Sequence, residues 1–139
     1  MDKDLSDIFD QLYRLGISAN YVGFFQTACA VALCRADPGR LQLVTKEIYP
    51  EVAKLCGTSW HAVEHNIRTV CAIAWENNRH LLELLAHKPF PRKPCNAQFL
   101  AILLHSLALR QVIAGGGKLT IDPNWGKIRS SQTKKREDD

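Results

Sequence analysis

The stretch TKEIYPEVAKLCGTSWHAVEHNIRTVCAIAW, Thr45 to Trp75, decides how this chain folds. Ala53 stands four residues before Gly57, and Val63 follows six after it. An apolar stripe then continues at Ile67, Val70 and Ala74. A small residue suits two helices that cross closely, and a glycine suits the left-handed turn between them. The spacing therefore predicts a helix-turn-helix, whose second helix packs its stripe inward and offers its other face to a major groove.

That second helix is expected from about Ser59 to Glu76. At about 100° per residue, Val63, Ile67, Val70 and Ala74 fall in one narrow sector. The opposite sector holds His61, His65, Arg68, Thr69 and Ala72, with Glu64 to one side. These side-chain types suit base edges and phosphates. Arginine bonds guanine in bidentate fashion, a carboxylate accepts from cytosine, and threonine offers a hydroxyl or a methyl. Histidine donates to the same groove, so affinity is expected to rise as pH falls from about 8 to 6 if His61 and His65 engage DNA as cations. Residues nearest the helix start, Ser59, Trp60, His61, Glu64 and His65, reach deepest, whereas Arg68 and Thr69 lie nearer the backbone. The competing interpretation is a solvated helix face, because the sector is only mildly basic where phosphate attraction supplies most affinity.

Outward from this segment, helical patterning extends almost throughout. Leu5, Ile8, Phe9, Leu12 and Leu15 recur at helical spacing, and Gly16 is positioned to stop that helix. Ser18 or Asn20 is expected to cap a second helix, with Val22, Phe25, Ala28, Cys29, Ala32 and Leu33 facing inward. The Asp37-Pro38-Gly39 turn closes it. A third pattern covers Leu41 to Leu55 with Pro50 inside, which predicts a kink or a restart near Tyr49. A short helix holds Leu81, Leu82, Leu84 and Leu85, and the PFPRKP stretch from Pro89 to Pro94 forms a loop. The last helix runs from about Asn96 to Ala114, with Phe99, Ile102, Leu103, Leu107 and Leu109 as its apolar set. Leu100, Leu103, Leu104 and Leu107 fit either the core or a dimer face.

The expected architecture is all-α, a compact bundle of about six helices over residues 1–114. Residues 115–139 form a flexible tail, in which Trp125 and the Lys134-Lys135-Arg136 cluster are candidate contacts to phosphates or a partner. The chain has 139 residues, 46% of them hydrophobic, which suits one domain with one core. Its net charge of +4 leans towards a polyanionic partner. The five cysteines form no CxxC pair, and four of them lie in apolar helical patterns where a thiol behaves as a small hydrophobe. That usage points to a reducing compartment. The start, MDKDLSDIFD, lacks the layout of a secretory signal, and no run approaches the roughly 18 apolar residues of a membrane span. A cytoplasmic protein with no membrane association is expected.

Four segments together resemble the DNA-binding effector domain of the master sporulation initiation response regulator of endospore-forming bacteria. They are LGISANYVGFF, TKEIYPEVAKLCGTS, VEHNIRTVCAIAW and KPCNAQFLAILLHSL, and the similarity covers about Leu12 to Arg110. The resemblance implies a bundle of about six helices and a sequence-specific transcription regulator that binds tandem boxes on double-stranded DNA as dimers. It also implies base contacts from arginines flanking a Val-Glu pair. Here those positions are Ala62 and His65, so Glu64 alone survives of that set, with Arg68 kept downstream. Losing a bidentate arginine costs about 1–3 kcal/mol of discrimination, so a different box or weak reading of DNA is expected. The family's phosphorylated receiver domain has no counterpart before Leu12, and no phosphorylation-dependent activation is expected.

Catalysis is not expected. His61-Ala62-Val63-Glu64-His65 matches the HxxEH zinc-peptidase pattern, but a catalytic zinc needs a third protein ligand. Glu76 lies eleven residues beyond His65, roughly 16 Å along a straight helix, too far to converge. The chain is read as needing no cofactor, metal or small-molecule substrate. Two functions of different class remain: a DNA-binding transcription regulator, and a non-enzymatic interaction module with degenerate base readout that modulates a full-length relative.

Overall fold

The computed structural model describes residues 3–115, with side chains from 5 to 110. Five α-helices are present: α1 (Lys3–Arg14), α2 (Val22–Ala36), α3 (Tyr49–Cys56), α4 (Trp60–Ala86) and α5 (Asn96–Gly115). A 3-10 turn, Pro38–Leu43, and a wide helical turn, Val44–Ile48, link α2 to α3. No strand occurs among the described residues. The expected tail contacts, Trp125 and Lys134 to Arg136, lie outside them.

Ile8, Leu12 and Leu15 of the first pattern are fully buried, and Leu5 and Phe9 pack against the core from its edge. Gly16, at φ +94°, ends the run as the pattern predicts. The restart near Tyr49 is also found. Tyr49 and Pro50 occupy the first turn of α3, where proline's missing N–H has no intrahelical partner to lose.

The phase of α2 differs from expectation. Val22 and Phe25 are more than half exposed, whereas Gly23, Phe24, Gln26, Thr27, Ala30, Val31 and Cys34 are buried with Ala28. Its sequence is apolar nearly all round, so periodicity cannot select the inward face; contact with α4 does. Phe25 still packs edge-on against Phe9 and Phe24, with ring centroids 5.7 and 5.2 Å apart. Tyr21, rather than Ser18 or Asn20, precedes the first turn of α2, and it makes no side-chain capping bond.

The two helices expected at Ser59–Glu76 and around Leu81–Leu85 form one bent rod. Asn78 alone departs from helical geometry, at φ −151° and ψ 57°. Its Oδ1 accepts from Leu81 N at 3.3 Å, the bond of an N-cap. Its Nδ2 donates to the Arg14 carbonyl at 3.2 Å, tying the bend to the end of α1. The Pro89–Pro94 segment is a loop, as expected, and Cys71 Sγ donates to the Pro94 carbonyl at 3.4 Å to hold it down. Leu100, Leu103, Leu104 and Leu107 are all buried, so α5 is core at these positions; Leu109 is only half-buried.

Candidate nucleic-acid interface

Gly57 closes α3 in the left-handed conformation, at φ 67° and ψ 40°, and its N–H bonds the Ala53 carbonyl. Thr58 N–H bonds the same carbonyl at 2.9 Å. This doubly bonded end turns the chain sharply into Ser59, whose Oγ accepts from Ala62 N at 3.2 Å and starts α4. Ala53 is buried at the corner, and Val63, Ile67, Val70 and Ala74 are fully buried. The corner and stripe predicted from spacing thus form a helix-turn-helix.

A second close approach fixes α4 from the other side. A Cβ added to Gly23 would lie 2.5 Å from the Asn66 carbonyl oxygen and 2.6 Å from Val70 Cγ2. Beside it, Asn66 Nδ2 donates to the buried Gln26 at 3.0 Å. Asn96, at the start of α5, donates to both the Glu64 carbonyl and the Tyr49 hydroxyl, each at 3.0 Å. The second helix of the motif is therefore held by three elements. Burial pushes the Tyr49 phenol up to about 12, and the bond from Asn96 only partly offsets that rise.

The outward face carries the sequence-predicted residues together. Ser59, Trp60, His61, His65 and Arg68 are exposed; Ala62, Glu64 and Thr69 are half-buried. They fall on two edges. On one, Arg68 Nη2 contacts Glu64 Oε2 at 2.6 Å, and Trp60 stacks on His61 with centroids 3.7 Å apart. On the other, Ala62, His65 and Thr69 follow one another at helical spacing, and Thr69 Oγ1 donates back to the His65 carbonyl at 3.1 Å. His61 and His65 have no third partner for a metal: no group of three or more His, Cys, Asp or Glu among the described residues is arranged to hold one.

Sequence reasoning missed the cleft beside this face. It has a volume of about 670 Å³ and runs between the Leu41–Lys46 segment, Glu64 and Arg68 of α4, and the Lys93–Ala97 start of α5. Lys46, Arg68 and Lys93 place three cations on its walls. The lysines lie 47 residues apart in the chain, so no local pattern links them. None of the described helices is long and apolar enough to cross a membrane.

A family model described as sporulation initiation factor Spo0A C terminal matches residues 8–107, which include the whole corner, the outward face of α4 and the cleft. On this match over most of its length, the chain belongs to the Spo0A C-terminal family of DNA-binding effector domains in sporulation response regulators.

Proposed function

We propose that this protein is a sequence-specific, non-enzymatic transcription regulator that acts in the cytoplasm and inserts the first turns of α4 into the major groove of double-stranded DNA. The observation that carries this reading is the exposed row Trp60, His61, His65 and Arg68 on a helix whose opposite stripe is fully buried. Ser59 orients the helix start. Glu64, His65 and Arg68 address base edges, and Trp60, His61 and Thr69 flank them. Lys46 and Lys93 meet phosphates on the cleft side. Two copies on tandem boxes supply the affinity that one mildly basic face lacks. Residues up to 114 are assigned to the effector domain, and residues 115–139, richer in Lys and Arg than in Asp and Glu, are assigned outside it.

Selection from random duplex DNA at near-physiological salt tests this. The expected result is an enriched motif, with half-sites one helical turn apart if the protein binds as a dimer. Replacing Glu64, His65 and Arg68 together with alanine abolishes that preference. Enrichment of no motif, with only weak salt-sensitive binding, would reject base readout and favour the interaction module.

A further inference from the structure

The two edges of α4 are chemically unlike. On the Glu64 side the charged groups are already matched, since Arg68 reaches Glu64 at 2.6 Å within the same helix. On the other side the Thr69 hydroxyl donor is also committed. Thr69 gives its hydroxyl proton to the His65 carbonyl at 3.1 Å, which leaves its methyl as the untied part of the side chain. Ala62, seven residues earlier and two helical turns away on the same edge, offers only a methyl. Both are half-buried, with exposed His65 between them. Outside His65 this edge offers two methyls, which form no hydrogen bond with guanine or adenine. They complement the one apolar group that the major groove displays, the 5-methyl of a pyrimidine.

We propose that the Ala62–His65–Thr69 edge reads 5-methylpyrimidines, the Ala62 and Thr69 methyls, two turns apart, each packing against the methyl of a different base. This rests on the DNA-binding reading above and specifies its ligand. Charge complementarity supports a duplex as the occupant, because Lys46 and Lys93 line the adjoining cleft beyond the matched Arg68–Glu64 pair. Thymine and 5-methylcytosine share the recognised group, and the test separates them.

The probe is the duplex enriched from the random pool. It is resynthesised with deoxyuridine for each thymine in turn, which removes only the methyl, and with 5-methylcytosine for each cytosine. We expect one or two thymine-to-uracil changes to weaken binding about fourfold each, the worth of one buried methyl. A gain of similar size on cytosine methylation instead would assign the edge to methylated cytosine. Thr69→Ser keeps the hydroxyl and removes the methyl, so it should shrink the effect; Thr69→Val keeps a methyl and should preserve it. Ala62→Gly provides a second loss, with circular dichroism confirming that the helix survives. Equal affinity for methylated and unmethylated duplexes within twofold would overturn the proposal and leave sequence-specific binding standing. A methyl effect undiminished in both Thr69→Ser and Ala62→Gly would overturn its assignment to this edge. Failure to enrich any motif would overturn both readings.

Discussion

His87 ends α4 at φ 59°, the one non-glycine residue among those described with a positive φ. Its N–H bonds both Glu83 O and Leu84 O, and Lys88 N bonds Glu83 O at 3.2 Å, so one carbonyl takes two N–H groups as the Ala53 carbonyl does at Gly57. A side chain there costs about 1 kcal/mol, so His87→Gly should stabilise the fold by about 0.5–1 kcal/mol, measured by urea unfolding. A lower midpoint would show that the imidazole contributes more than the strain removes. Asn78 presents the converse case. Its side chain caps the distal half of α4 and anchors the bend, so Asn78→Ala should cost about 1 kcal/mol. Neither position was legible in the sequence, because histidine and asparagine carry no fixed structural meaning until the chain around them is placed. Arg68 was legible, and its pairing with Glu64 follows from their i, i+4 spacing. The pair is exposed and contributes little to stability. Its consequence is for binding: with Arg68 on a base edge, Arg68→Ala should weaken affinity for the selected duplex more than for random duplex and leave the slope of log affinity against log salt unchanged, measured by fluorescence anisotropy across a salt series. A slope lowered by about 1, with equal losses on both duplexes, would place Arg68 on a phosphate instead.

At the scale of elements, the crossing of α2 over α4 positions the candidate reading face. Gly23 permits backbone contact that any Cβ would obstruct at 2.5 Å from the Asn66 carbonyl. Gly23→Ala should therefore destabilise the protein by about 1–3 kcal/mol, as overpacking does, and displace the first turns of α4. The comparison is Gly57→Ala, where nothing lies within 4 Å of the added Cβ and the cost is backbone strain alone, about 1 kcal/mol. If both variants lose equal stability and both keep full DNA affinity, the crossing does not govern the interface. The stripe of α4 was read correctly because its polar and apolar residues segregate. The stripe of α2 was not, because a helix apolar on every side leaves the choice of face to its neighbours. Phe25 illustrates this: it fits an inward period, yet it lies more than half exposed beside Phe9 and Phe24.

At the scale of the whole molecule, two ionisable groups tie the core to alkaline pH. Burial raises the Cys34 thiol from 9.0 to about 12, and the Tyr49 phenol moves from 10.0 to about 12. Both hold their protons longer in the folded protein than in the unfolded chain. Below about pH 9 they are protonated in both states and exert no pH dependence. As pH rises past 9 and then 10, the unfolded chain loses these protons first, so stability falls until about pH 12. Thermal unfolding followed by circular dichroism should show a falling Tm between pH 9 and 10.5, with a shallower decline in Tyr49→Phe. A wild-type Tm that stays level over that interval would contradict the burial of both groups. The same core takes in Leu100, Leu103, Leu104 and Leu107 of α5. These residues cannot form a dimer face without unfolding, so the pairing proposed on tandem boxes would need other surface.

What the sequence by itself determined is what depends on neighbours in the chain. The corner at Gly57, the start of α4 near Ser59, the restart at Tyr49, the buried stripe of α4 and the all-α class each follow from local spacing and backbone sterics. Family membership was legible for the same reason, since the four matching segments carry contiguous patterns. Only the tertiary structure decided which side of α2 faces inward, because Gly23 and Gln26 meet Asn66 from 40 or more residues away. Only it brought Lys46 and Lys93 to one cleft with Arg68, and only it set Asn96 between Tyr49 and Glu64. Those relations join elements whose docking is selected by packing and hydrogen bonding across the core, and no periodicity within one segment records them.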